Sequence, residues 1–174
     1  MEKSSKLSRI LIYISVLSFI VWFGSYLTRL MVSYQFYDSQ TNLIIKELGS
    51  INPGTFITFF TPIVVLNLIF YILFLLSFFT YLFISKISLK KEGWLFITVI
   101  IVVSTMLPEL YLLRYDFLFL KGSIGESLDF STLYGIIVKR SEILGSFPII
   151  ELFLYMPVVY LILFKPLRLK QNEN

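Results

Sequence analysis

Cysteine, histidine and alanine are absent from the 174 residues of this sequence. Without cysteine the chain can form no disulfide, iron–sulfur cluster or thiol nucleophile. Without histidine it has no bis-imidazole haem, no typical zinc site and no serine–histidine or cysteine–histidine dyad. These absences exclude most membrane enzymes, and we expect neither a cofactor nor a metal site.

Charge is also scarce, since 15% of the residues are charged and 57% are apolar. A soluble domain carries about 25% charged residues. The composition therefore predicts an all-α membrane protein, with residues 1–174 forming one integral membrane domain. Because alanine is missing, serine and threonine must supply most of the small residues through which membrane helices approach one another.

Four stretches are long and apolar enough to span a bilayer, which takes about 20 residues. We predict transmembrane helices over 10–32, 61–84, 94–113 and 147–164. The second is predicted to begin at Thr61-Pro62, because proline suits the first helical position and threonine can cap it. Residues 55–60 would then lie in the membrane interface. The result is a bundle of four transmembrane helices.

The distribution of charge predicts the topology of this bundle. With both termini on one side, that side holds nine basic and three acidic residues, against six basic and eight acidic residues on the other. Basic loops stay in the cytoplasm, so both termini are predicted to be cytoplasmic. The formal net charge of +4 then reflects membrane-orienting flanks, and nucleic acid is not an expected partner. Abundant Ile, Lys, Phe, Asn and Tyr without alanine indicates an AT-rich genome and favours a bacterial inner membrane.

The long loop between the third and fourth spans contains a further helical pattern. Residues 131–144 repeat apolar side chains at helical spacing, with one arginine in the stripe and Gly145 as a stop. We predict an amphipathic helix that lies on the outer membrane surface or covers the bundle. The alternative is a mobile loop with helical tendency. A second, shorter helix is predicted over 42–49 in the first loop.

Each predicted span carries polar residues on one face, spaced by alternating steps of three and four. Turned inward, these faces predict a polar cluster within the membrane, formed by Arg29, Asn67, Glu109 and Glu151. Arg29 is expected to pair with Glu109 or Glu151, because pairing reduces the cost of charge in a membrane. Arg114 and Asp116 are predicted to extend the cluster at the interface.

Each of these residues also has a simpler interpretation. Arg29 can extend to the lipid headgroups, and Glu151 can favour the positive end of its helix. Asn67 can join two helices by a hydrogen bond, and Arg114 with Asp116 can form a solvent-exposed pair. Glu109 has no such interpretation, since it lies too deep to be a cap and follows a proline.

Three functions are compatible with this pattern. The first is a non-enzymatic subunit or assembly factor of a larger membrane complex, in which the cluster sets helix register or docks a membrane-protein partner or a second copy. The second is a small proton- or cation-coupled transporter that uses Glu109 and Glu151. The third is an enzyme acting on lipid-linked substrates, for which no catalytic motif is present. We expect the first.

Overall fold

The computed structural model describes residues 6–34, 52–85, 87–125 and 129–167. Within these ranges 91% of the residues are helical and there is no strand. The helices are α1 (Lys6–Tyr34), α2 (Pro53–Ser85), α3 (Gly93–Leu120), α4 (Phe130–Leu144) and α5 (Phe147–Phe164), and a π-helical turn, Lys121–Gly125, follows α3. The helix predicted over 42–49 lies outside the described residues.

Among the residues that the structure describes, four helices are long and apolar enough to cross a membrane. They are Lys6–Ser33, Pro53–Ser85, Gly93–Gly125 and Phe147–Phe164. The prediction of an all-helical chain with four candidate transmembrane helices is therefore confirmed. The last span has the predicted bounds, whereas the other three are longer than predicted.

Helix α2 begins at Pro53 rather than at Thr61, so the predicted start is wrong. Asn52 precedes the helix, and its side-chain oxygen accepts a hydrogen bond from the Thr55 amide at 3.1 Å. Pro62 lies inside the helix, where it removes one backbone hydrogen bond without ending the helix. Phe56 and Phe60 are buried in an apolar cluster that includes Phe119, Leu133 and Ile137. This burial stabilises the turns of α2 that precede Thr61.

Helix α3 continues beyond its predicted end at 113 as far as Leu120. The sequence prediction treated the charges of residues 114–116 as the edge of the span. In the structure, however, Asp116 and Phe119 are both fully buried. Phe119 packs edge-on against Phe60, with ring centroids 5.6 Å apart. Packing and charge pairing therefore carry the helix through the polar stretch.

Helix α4 covers one end of the protein. Asp129 caps its first turn by accepting a hydrogen bond from the Thr132 amide at 3.4 Å. Its inward face buries Leu133, Ile137 and Arg140, which belong to the predicted stripe. The arginine within this apolar stripe thus points into the protein.

The four long helices α1, α2, α3 and α5 alternate in direction, so that their ends gather in two groups. The C-terminal ends of α1 and α3 and the N-terminal ends of α2 and α5 form what we call the Arg29 end, under α4. The opposite Lys165 end joins the start of α3 to the chain after α5, where the Gly93 amide donates to the Leu167 carbonyl at 3.2 Å. An aromatic core that includes Phe19, Trp22 and Tyr155 fills the space between the two ends.

Candidate functional site

Five charged side chains meet inside the protein near the Arg29 end. Each is at most 6% exposed, and together they come from α1, α3, α4 and α5: Arg29, Glu109, Asp116, Arg140 and Glu151. Burial of a single unpaired charge costs several kcal/mol. We call these five groups the charge cluster. Because an unpaired buried charge is costly, their arrangement depends on how they pair with one another.

Asp116 is the acid that both arginines share. Arg29 Nη1 donates to Asp116 Oδ2 at 2.8 Å, and Arg29 Nη2 donates to Oδ1 of the same carboxylate. This two-pronged geometry matches the planar guanidinium to the carboxylate. The Arg29 guanidinium also lies 5.5 Å from the centroid of the Phe60 ring, within the range of a cation–π contact. Helices α1, α2 and α3 are thereby joined at one point.

Arg140 connects α4 to two acids of α3. Its Nη2 donates to Glu109 Oε1 at 3.3 Å, and its Nε forms an ion pair with Asp116 Oδ1 at 2.9 Å. The Nε hydrogen is not aligned with an acceptor, so this second contact is electrostatic rather than a hydrogen bond. Burial by itself would lower the pKa of Arg140, but the carboxylates of Asp116 and Glu109 raise it above its ordinary value. Arg140 therefore stays charged and holds α4 on the protein.

Glu151 lies at the side of the charge cluster that has no arginine contact. Its Oε2 accepts a hydrogen bond from the Tyr26 hydroxyl at 2.7 Å. Its carboxyl group is also close enough to the Glu109 carboxyl group for the two side chains to interact. Glu109 Oε2 and Glu151 Oε1 have no hydrogen-bond partner. Two acids from α3 and α5 are thus buried beside each other.

Neutral polar groups line the next turn toward the Lys165 end. Asn67 Nδ2 donates to Ser25 Oγ at 2.5 Å, which joins α2 to α1. The hydroxyls of Thr105 and Tyr155 are 2.7 Å apart and join α3 to α5. Trp22 Nε1, Asn67 Oδ1 and the Tyr71 hydroxyl are buried without a hydrogen-bond partner. This layer is polar but carries no charge.

A cavity of about 240 Å³ lies beyond that layer, at the Lys165 end. Aromatic and aliphatic side chains form most of its wall, with Ser15, Thr98 and Lys165 among the polar ones. Phe19 borders the cavity and packs against both Phe74 and Tyr155, at 5.4 and 5.5 Å between ring centroids. These rings stand between the cavity and the charge cluster.

The structure brings three of the predicted cluster residues together and corrects their pairing. Arg29, Glu109 and Glu151 meet, but Arg29 pairs with Asp116 rather than with either glutamate. Asp116 is fully buried within the cluster that it was predicted to extend, whereas Arg114 is exposed. The two Asp116 carboxylate oxygens face the two terminal nitrogens of Arg29 across the α1–α3 contact.

Asn67 is buried one turn away from the charges, where it forms the interhelical hydrogen bond that was its simpler interpretation. Two members of the site were not singled out from the sequence. Arg140 had a signal, because it is the one charge within the apolar stripe of 131–144. Tyr26 follows Trp22 by four residues and so shares its inward face. In a helix rich in aromatic residues, however, a tyrosine does not stand out as a polar site residue in the way that Arg140 does in its apolar stripe.

The fold defines a class, that of a helical membrane protein with four candidate transmembrane helices. No family model, curated protein or solved structure matches the chain. Among the described residues no group of three or more acids is arranged to hold a metal ion. The charge cluster is therefore the feature of this protein that bears most directly on function.

Proposed function

We propose that this chain is a non-enzymatic accessory subunit or assembly factor of a larger membrane complex, located in a bacterial inner membrane with both termini in the cytoplasm. The observation that carries the proposal is that the ion pairs of the charge cluster are made within the chain. They join α1 and α4 to α3. Such a cluster serves to fix one helix arrangement, a known use of buried polar groups.

This geometry changes which surface would meet a partner. The charge cluster is buried and paired, so it does not itself offer free groups for docking. Helix α4 instead exposes Ser131, Lys139 and Glu142 on the face opposite Arg140. In the proposed topology α4 lies at the outer membrane surface, and Arg140 holds its polar face toward the partner.

Purification from the native membrane in mild detergent tests this proposal. Arg140→Gln removes the charge that holds α4, whereas Lys90→Gln removes an exposed charge at the opposite, Lys165 end of the protein. We expect wild type and Lys90→Gln to retain a stoichiometric membrane-protein partner, and Arg140→Gln to lose it. A wild-type protein that purifies alone, or a partner retained equally by both variants, would contradict the proposal.

The alternative function is a proton-coupled transporter, and the contact between Glu109 and Glu151 favours it. Two arginines in the same cluster disfavour a metal cation as the transported ion, because they already balance two acids. The aromatic rings around Phe19 oppose a continuous path from the charge cluster to the cavity. Proton flux into liposomes that contain the purified protein, lost in Glu151→Gln, would establish transport in place of the structural role.

A further inference from the structure

We infer that Glu109 and Glu151 bind one proton between them, so that a carboxyl–carboxylate hydrogen bond joins α3 to α5 in the resting protein. The ligand of this site is a proton, and the site is formed by Glu109 Oε2 and Glu151 Oε1, two buried oxygens that have no hydrogen-bond partner. The inference concerns the resting charge of the charge cluster and does not depend on a partner protein.

The hydrogen-bonding capacity of the two acids depends on their protonation. An ionised carboxylate is an acceptor only, whereas a protonated one also donates. One buried oxygen of each acid, Glu109 Oε2 and Glu151 Oε1, has no hydrogen-bond partner, and the two side chains are close enough to interact. Two ionised carboxylates in this position would repel each other and leave both oxygens unsatisfied. A single proton removes the repulsion and supplies the missing donor.

The charge of the whole cluster also favours one bound proton. Three buried acids face two buried arginines, so the cluster with every group ionised would carry one net negative charge. One added proton makes it neutral, and a neutral cluster avoids the cost of a buried net charge. Within the described residues, the hydroxyls of Tyr26, Tyr71 and Tyr155 complete the titratable groups of the surrounding helices. They are neutral and leave the balance unchanged.

The position of the proton follows from how well each acid is paired with an arginine. Asp116 binds both arginines and is the acid best compensated as an anion. Glu109 has one arginine contact, at 3.3 Å. Glu151 has the neutral Tyr26 hydroxyl as its donor. The proton is therefore held at the Glu109–Glu151 contact, where cationic compensation is weakest.

Glutamine substitution separates this inference from a general effect of burial. Glutamine has nearly the shape of a protonated glutamic acid and donates through its amide. Glu151→Gln and Glu109→Gln should each leave two acids and two arginines, which balance without a bound proton. The exposed Glu142 of α4 provides the control, since Glu142→Gln leaves the charge cluster unchanged.

Infrared difference spectroscopy of the purified protein in lipid nanodiscs, in light and heavy water, tests the inference. We expect the carbonyl stretch of one protonated carboxyl group per wild-type chain at neutral pH, shifted by heavy water. The band should be retained in Glu142→Gln and lost in both Glu151→Gln and Glu109→Gln. Loss in only one variant would place the proton on that residue alone and overturn sharing.

A wild-type spectrum without a protonated carboxyl at neutral pH would overturn the inference outright, as would a band that persists in both cluster variants. If neither glutamine variant folds, the pH dependence of the wild-type protein still tests the inference. Its band should disappear at alkaline pH together with a fall in the thermal midpoint. A band that disappears without any such fall would show that the proton does not join α3 to α5.

Discussion

Asp116 is the residue on which the arginines of the charge cluster converge, and its role sets the first prediction. Asp116→Asn removes the charge that compensates Arg29 and, in part, Arg140, which leaves buried cations without their main partner. Breaking a buried pair in this way costs about 3–5 kcal/mol. We expect a loss of this size in the free energy of unfolding, measured in detergent by denaturant titration.

Arg114→Gln is the matched control for that measurement, since Arg114 is an exposed charge two residues away on the same helix. Surface substitutions usually change stability by at most about 0.5 kcal/mol. Equal effects of Asp116→Asn and Arg114→Gln would show that the buried ion pairs do not support the fold.

Tyr26 gives a second prediction at the residue scale. Tyr26→Phe removes the hydroxyl that donates to Glu151 and leaves a buried carboxyl oxygen without its donor. A lost donor to a buried acceptor costs about 1–3 kcal/mol. Tyr13→Phe on the same helix is the control, because Tyr13 is 67% exposed and its hydroxyl should contribute little. Thermal unfolding of the two variants in one detergent should separate them clearly, and coincident midpoints would refute the prediction.

The cap of α4 gives a prediction at the element scale that depends on pH. Hydrogen bonds from Ser131 and Thr132 lower the pKa of Asp129 below its ordinary value. A lowered pKa means that the cap stabilises α4 fully above the ordinary aspartate pKa and is lost as the pH falls through the lowered one. The protection of the α4 amides, measured as hydrogen exchange relative to the intrinsic rate at each pH, should therefore fall on acidification.

Asp129→Asn provides the control for the cap, since asparagine caps a helix well and does not titrate in this range. We expect the acid-induced loss of protection in the first turn of α4 to disappear in this variant. If the acid-induced change persists there, its cause lies elsewhere, such as in the charge cluster beneath the helix.

A further prediction concerns how α3 and α5 meet at the Lys165 end. A Cβ atom at Gly93 would lie 2.9 Å from Leu167 Cβ and 3.0 Å from the Leu167 carbonyl oxygen. Gly93→Ala should thus destabilise the protein by about 1–3 kcal/mol, as overpacking does. Gly135→Ala in α4 meets nothing within 4 Å and should stabilise that helix by about 0.5–1 kcal/mol. Unfolding midpoints that do not move in these opposite directions would contradict the close approach.

Helix periodicity predicted which residues point inward but not which ones pair. The steps of three and four that placed Glu109 inward also placed Asp116 on the same stripe. Whether Arg29 reaches Asp116 or Glu109 depends on the lateral and axial offsets of α1 and α3, which no local pattern contains. For the same reason, the stripe of residues 131–144 indicated a helix but not that Arg140 would enter the charge cluster.

Helix ends were harder to predict than helix faces. Thr61-Pro62 and the charges after residue 113 are both typical of helix boundaries. Tertiary contacts override these local boundary signals, because Phe56 and Phe60 pack under α4 and Asp116 pairs with the arginines of the charge cluster. Local propensity is a weak signal wherever burial and charge pairing are available on neighbouring helices.

At the scale of the whole molecule, charge is distributed unequally between the two ends. The Lys165 end carries the described basic residues Lys6, Arg9, Lys90, Lys91 and Lys165. The Arg29 end holds the charge cluster, in which acids outnumber arginines. Basic loops stay in the cytoplasm, so the proposed topology places the Lys165 end inside and α4 outside.

The absence of native cysteine makes this topology directly testable. Ser131→Cys lies on the exposed face of α4, and Ser88→Cys lies in the exposed turn between α2 and α3. In intact cells a membrane-impermeant thiol reagent should label Ser131→Cys from the periplasm and leave Ser88→Cys unlabelled until the cells are lysed. The reverse pattern would place the charge cluster near the cytoplasm. In that case α4 could not present its polar face to a periplasmic partner, and the proposed role of Arg140 in docking would fail.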